Sequence, residues 1–222
     1  MINLVNFLLL IENISDYSKK EIDIGRTPLD VYRLSCCIRE TFCLSYSLRK
    51  DNNLFLYIQK EHHLIKFKGK KLKYLGPDER SETLLLEKVL DKRKESIIYD
   101  DGWRKSTPGI FIRSFSDTIS FINYYRLIAN HLSFLIIDTM YDVNKKVEFF
   151  KLNQDPVEIL DDDFFIIPTY TLRSESSSSI ELFKEMKNTK LISLSKIKGV
   201  ENKILYINFI KDQQRTHKNL VK

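Results

Sequence analysis

The segment Gly76-Pro77-Asp78-Glu79-Arg80 sets a carboxylate acceptor and a forked guanidinium donor two residues apart. They stand where a helix should begin, so backbone N–H groups and the helix dipole favour an anion there. Such a pair can hold a nucleobase edge or simply cap the helix, and physical chemistry alone favours the cap. Just upstream, Lys66, Lys68, Lys70, Lys71 and Lys73 alternate with Phe67 and Tyr74 nearby. Lysines at alternate strand positions project to one face and can follow a phosphate backbone. A lysine-rich strand can equally serve to block edge-to-edge sheet pairing, and both readings stand. Asp161, Asp162 and Asp163 are hard-cation ligand types, but three consecutive residues do not face one point, so a solvated turn before a strand is expected. His62 and His63 have no carboxylate or cysteine at a ligand spacing and read as surface residues, so no metal is expected. Ser174 to Ser179, broken only by Glu175, forms either an active-site loop or a helix start, and without glycine it makes no P-loop.

These side chains need a scaffold, and its elements follow from periodicity. Leu4 to Ile11 is an apolar run too short for a membrane span and without the basic flank of a signal peptide, so it reads as a buried strand. Thr27 as N-cap, Pro28 at the first helical position, and Val31, Leu34, Ile38 and Phe42 at helical spacing predict a helix from Pro28 to Ser47. Leu54 to Ile58 reads as a second buried strand. Ile65 to Lys68 and Lys71 to Tyr74 both alternate in polarity around Gly69-Lys70, which predicts a hairpin. A helix starts at Pro77 to Glu79, carries the i,i+4 pairs Leu85/Val89 and Leu86/Leu90, and ends in Lys92, Arg93 and Lys94. Ser116 and Asp117 cap another helix running toward Asn130. The apolar runs Leu132 to Ile137, Phe164 to Ile167 and Lys190 to Leu194 have the character of parallel strands buried on both faces, with a helix at Ser178 to Lys187 before the last. That order predicts an open α/β sheet.

Composition sets the outer bounds. The chain has 222 residues, enough for one sizeable core, and a single domain over residues 1–222 is expected. Hydrophobic residues at 43% and charged residues at 30% exclude disordered and membrane classes, while six Gly and five Pro exclude collagen-like repeats. Lys and Arg number 36 against 30 Asp and Glu, and the net charge of +6 biases the chain toward polyanions. Cys36, Cys37 and Cys43 are odd in number, two of them adjacent, and all fall in the predicted helix. They form neither a disulfide framework nor a zinc pattern, which points to a reducing, cytoplasmic setting.

The stretch from Ile65 to Arg80, followed by Ser106-Thr107-Pro108-Gly109-Ile110-Phe111-Ile112-Arg113, resembles the archaeal tRNA (pseudouridine-54 N1)-methyltransferases, TrmY-like proteins of the SPOUT superfamily. Upstream, Phe42-Cys43-Leu44-Ser45 with Arg49-Lys50-Asp51 looks like the end of that family's first helix. Downstream, Phe165-Ile166-Ile167 and Ile192-Ser193-Leu194-Ser195 look like its two cofactor-side strands. The likeness covers roughly Glu21 to Asp212 and leaves a basic tail at 213–222. The Pro-Asp-Glu-Arg and Ser-Thr-Pro-Gly segments in this order are its specific part.

The resemblance implies an α/β SPOUT-type sheet with a C-terminal trefoil knot, a rare exception to the unknotted rule, and a homodimer. It implies S-adenosylmethionine (SAM) as cofactor and methyl transfer to N1 of a pseudouridine in the T-loop of tRNA. Under it Asp78 is the catalytic carboxylate. Arg80 orients the base or phosphate, and Arg49, Lys66, Lys68 and Lys71 contact the RNA. Ile167, Pro168, Leu194, Ser195, Asn202 and Ile204 hold the cofactor. The family's glycine-bearing cofactor loop reads here Pro168-Thr169-Tyr170-Thr171-Leu172-Arg173, its Leu-Ser-Pro turn reads Leu194-Ser195-Lys196, and its later cysteine-bearing segment reads Glu201-Asn202-Lys203-Ile204. Pro168 removes a backbone donor that a glycine would supply. Two classes of function therefore follow: an active methyltransferase that holds its cofactor mainly through backbone groups, or a SPOUT-derived protein that binds RNA or a protein partner without it.

Overall fold

A computed structural model describes residues 4–94, 102–129, 131–137, 158–169 and 178–220. Among them one eight-stranded sheet, in the order β4-β5-β3-β2-β1-β7-β6-β8, carries helices on both faces. The strands are β1 (Val5–Ile11), β2 (Asn52–Ile58), β3 (His63–Lys68), β4 (Arg104–Lys105), β5 (Ile110–Ser114), β6 (Ser133–Ile136), β7 (Asp163–Pro168) and β8 (Thr189–Ile192). The helices are α1 (Lys19–Asp23), α2 (Leu29–Phe42), α3 (Glu79–Asp91), α4 (Thr118–Ile128), α5 (Ser178–Lys184) and α6 (Val200–Leu220). The expected α/β class is present, and its parallel part is β2-β1-β7-β6-β8. No helix among the described residues is long and apolar enough to cross a membrane.

Strand β1 is buried at all seven positions because it lies at the centre, parallel to β2 on one side and β7 on the other. Its alternate residues feed two cores. Val5, Phe7, Leu9 and Ile11 pack under α2, α3 and α6, while Leu8 and Leu10 pack under α4 and α5. A continuous apolar run is what burial on both faces demands.

Four local expectations shift. Helix α2 begins one residue late, with Pro28 at the cap position (ψ 144), and the Thr27 hydroxyl is buried without a hydrogen-bond partner. It also ends at Phe42 rather than Ser47. Cys43 turns extended and bridges Leu48, and the Arg49 N–H takes the Phe42 carbonyl that another helical turn would have used. Cys43 thus lies just outside the helix, and all three cysteines are free. In α3, Asp78 is the cap and Pro77 stands before it. The predicted lysine hairpin does not form. After β3, Gly69–Lys71 make a 3-10 turn, and the strand beside β3 is β5, pairing Ile65 with Ile112 and Phe67 with Ile110. Gly109, at φ +87, brings its backbone against Leu72, where a side chain would have no room. That contact pins the segment after the turn away from the sheet, so β3 is interior and its lysines protect no edge.

The C-terminal tail differs too, since α6 continues to Leu220. It is anchored through a buried polar group: Asn52 donates to the Thr41 carbonyl and to Asn208 Oδ1, and Lys211 reaches Asn52 and Asp51. Burial pushes the Asp51 carboxyl up, but Lys211 and Arg215 beside it hold it below the ordinary carboxylate range.

Candidate active site

The six residues expected to hold SAM gather at the carboxyl ends of the parallel strands, the usual ligand-binding edge of an open α/β sheet. Ile167 and Pro168 end β7, and the Thr169 N–H closes the ladder to β1 by donating to Leu10. Leu194 and Ser195 form the turn after β8, where the Ile197 N–H donates to the Leu194 carbonyl. Asn202 and Ile204 lie in the first turns of α6. Ile167, Leu194 and Ile204 send their side chains into the core, so only their backbone can meet a ligand. Ser195 and Asn202 are exposed, the Asn202 amide donating to the Lys198 carbonyl at 2.8 Å.

The residues at this edge fit SAM. Gly199 enters α6 at φ +87, and a side chain there would collide with Glu201. One Glu201 oxygen is buried with no hydrogen-bond partner, an acceptor that an ammonium or a ribose hydroxyl can satisfy. The α6 N-terminus adds unpaired backbone donors for a carboxylate. Residues 138–157 and 170–177, which include the Tyr170 to Arg173 part of the cofactor loop and Ser174 to Ser177, lie outside the described residues.

The nominated substrate residues do not form one cluster. Asp78 caps α3, accepting from the Ser81 N–H at 2.9 Å, as the physical reading favoured. Arg80 donates to Asp23 at 2.9 Å in an exposed ion pair. Arg49 grips Asp212 of α6 through both nitrogens at 2.9 and 2.7 Å. Lys71 is exposed on the 3-10 turn. Lys66 and Lys68 point to the α4/α5 face, whereas α3 with Asp78 and Arg80 covers the opposite face. Sequence proximity put these groups together, and the sheet separates them.

Lys66 and Lys68 instead line a cavity of about 750 Å³ at the amino ends of β1, β2 and β7, with Lys50, Lys70 and Arg215. Burial, and then the neighbouring Lys68, pushes the Lys66 ammonium down to about 8. Asn6 and Asn53 also line this cavity, and sequence reasoning did not single them out. The signal was available: each is a polar residue inside or beside an otherwise apolar strand run.

Other expectations are corrected here. His63 is buried at 4% exposure within β3 and sits 3.7 Å from Glu61; burial pushes its imidazole below the ordinary range despite that carboxylate. Asp163 is fully buried at the start of β7 rather than solvated, with one oxygen accepting from the Leu160 N–H. No group of three or more metal-ligand residues occurs among the described residues. Ser179 is buried and bonded to Gln59.

Residues 14–191 match a family model described as "Putative SAM-dependent RNA methyltransferase". The chain is 29% identical over 211 residues to the tRNA (pseudouridine(54)-N(1))-methyltransferase of Methanocaldococcus jannaschii, covering 90% of this chain and 91% of that one. Its counterpart from Methanococcus vannielii is 30% identical over 186 residues, 79% of this chain and 82% of the relative. The Haloferax volcanii protein of the same name is 38% identical over 98 residues, 44% of this chain, and there the match spans only 47% of the relative.

Proposed function

The chain belongs to the family of SAM-dependent RNA methyltransferases described by the model it matches, and from that membership we propose that it transfers a methyl group from SAM to N1 of a pseudouridine in the T-loop of tRNA. The observation that carries the reading is a likeness running through 90% of this chain and 91% of a relative named for that reaction. When bound, the cofactor supplies a methyl group already activated on a sulfonium. The chain's own residues then have to align the base and take its N1 proton.

Backbone groups at Ile167, Leu194 and Ile204, with the polar side chains of Ser195, Asn202 and Glu201, hold the cofactor at the carboxyl edge, and Pro168 shapes the entry to its loop. Asp78 is the base: one of its oxygens caps α3, which fixes the carboxylate and leaves the other oxygen for the proton. Arg80 orients the base or phosphate after leaving Asp23, an exposed pair whose opening costs about 1 kcal/mol or less. Arg49 holds α6 against the segment before β2, and Lys71 adds an exposed phosphate contact. The same reading makes the sheet SPOUT-type with a C-terminal trefoil knot around the cofactor; the parallel β7-β6-β8 group followed by α6 supports it. It also makes the protein a cytoplasmic homodimer, supported by apolar side chains open on α6 and α2: Leu205 at 48%, Phe209 at 53% and Tyr32 at 42% exposure.

Calorimetric titration tests the cofactor half of this function and separates it from a SPOUT-derived binder that lacks SAM. Saturable heat in the micromolar range is expected, and no heat at high micromolar SAM contradicts it.

A further inference from the structure

The cavity at the amino ends of the parallel strands has features that methyl transfer does not use. Its floor is apolar, with the Phe55 and Phe164 rings 5.5 Å apart. Above it stand Lys66, Lys68 and Lys70, none with an ion-pair partner among the described residues; Lys66 Nζ lies 4.9 Å from the centre of the Phe55 ring and 5.7 Å from that of Trp103. Asp51 and Asp162 also line the space, but Asp51 is already bound to Lys211 and Arg215.

A chain of amides fixes what the wall offers. The Asp162 carbonyl can only accept, so Asn6 turns its Nδ2 toward it at 3.2 Å. The Asn6 Oδ1 therefore accepts from Asn53 Nδ2 at 2.9 Å. Asn53 Oδ1 ends the chain, buried in a residue only 6% exposed and without a hydrogen-bond partner. An orphaned buried acceptor costs stability unless something donates to it.

A bare anion would satisfy the lysines and leave Asn53 Oδ1 unpaired, whereas a bare cation would do the reverse. A ligand that suits both carries a phosphate and an N–H or O–H donor, joined by a flat body that tolerates an apolar floor. We propose that this cavity binds one nucleotide of the RNA, its phosphate among Lys66, Lys68 and Lys70, a nucleoside donor on Asn53 Oδ1 and its flat face toward Phe55 and Phe164. The cavity lies one β7 length from the carboxyl edge, roughly 17 Å, so the nucleotide held here is not the one methylated. Only the source of the nucleotide rests on the RNA methyltransferase reading; the site itself does not.

The test is titration of the full chain with uridine 5′-monophosphate and with inorganic phosphate, followed by competition with an unlabelled T-arm hairpin. The nucleotide should bind at least tenfold more tightly than phosphate. Lys68→Met should weaken nucleotide binding at least tenfold, and Asn53→Ala should erase the preference over phosphate, each leaving SAM affinity within twofold. If Asn53→Ala does not fold, Lys66→Met supplies a second readout and should weaken nucleotide and phosphate binding together, leaving the preference for the nucleotide in place. Displacement of the nucleotide by the hairpin supports the RNA source. Nucleotide binding that the hairpin cannot displace overturns the RNA assignment. Equal affinity for phosphate and nucleotide, no nucleotide binding at millimolar concentration, or loss of SAM binding in Lys68→Met overturns the site.

Discussion

The two ends of the parallel sheet offer a ligand different surfaces. At the carboxyl edge, Ile167, Leu194 and Ile204 commit their side chains to the core and leave backbone to face a ligand. At the amino end the side chains themselves form the surface: two asparagine amides, four lysines and two phenyl rings. Backbone recognition tolerates sequence change, because most residues present the same N–H and C=O. This is how Lys196 can stand where the resembling family has another residue without dismantling the edge, whereas Pro168, with no N–H, offers a ligand only its carbonyl. Side-chain recognition has no such tolerance, so substitutions should separate the two ends sharply.

The largest separation is expected at Asp78, whose carboxylate caps α3 and, in the proposed mechanism, also accepts the proton. Asp78→Asn keeps an oxygen for the Ser81 N–H and removes the base, so turnover should fall by about 100-fold or more while the melting temperature holds. Asp78→Ala should lose turnover equally and a further ~1 kcal/mol of stability with the cap. Wild-type turnover in Asp78→Asn would reduce Asp78 to its cap.

A smaller effect, confined to the amino end, follows from Lys66. Its ammonium is pushed down to about 8 by burial and by Lys68, with Lys70, Lys50, Arg215, Asp51 and Asp162 lining the same space. Anion binding needs the protonated form, so RNA affinity should fall as pH rises through about 8. Lys66→Arg should remove that step, and an unchanged pH profile in this variant would show that Lys66 does not carry it. The salt dependence of RNA affinity should also decrease by about one unit of slope for each cavity lysine replaced by Met.

How much of this was legible in the sequence depended on the range of the forces involved. Strands β1, β2, β6 and β7 showed as apolar runs because burial on both faces leaves no other pattern, whereas β8, expected to be buried on both faces, lies at the sheet's edge with only Ile192 fully buried. The Asp78 and Asp117 caps showed because capping is local. The lysine hairpin misled because Lys71 to Tyr74 alternates correctly, yet β5, arriving from beyond α3, and the close approach of Gly109 to Leu72 decide the pairing. The likeness of the Ile65 to Arg80 stretch indicated the family, but the opposite faces taken by Lys66 and Arg80 exist only once the sheet is formed. Asn6 and Asn53 sit 47 residues apart in sequence and became a relay only through the β1–β2 register.

The smallest effect lies at neither end and serves as a control on both. Glu82 of α3 is fully buried, and burial pushes its carboxyl up to about 8 despite the opposing pull of Arg39. The folded state therefore holds a proton that the unfolded state releases above about 4.5. Stability from this group is full below that value and is lost as pH rises through about 8. Glu82→Gln should raise the melting temperature by a few degrees at pH 8, change it little at pH 4, and leave both SAM and RNA affinity alone. A melting temperature equally shifted at both pH values would mean that Glu82 is ionised throughout.

The most direct test of the central claim is mass analysis of nucleosides from T-arm RNA incubated with the protein and isotope-labelled SAM, using paired substrates with pseudouridine or uridine at the same T-loop position. The expected result is a labelled methyl on N1 of pseudouridine and none on the uridine substrate. No label in either RNA, or equal label in both, would contradict it.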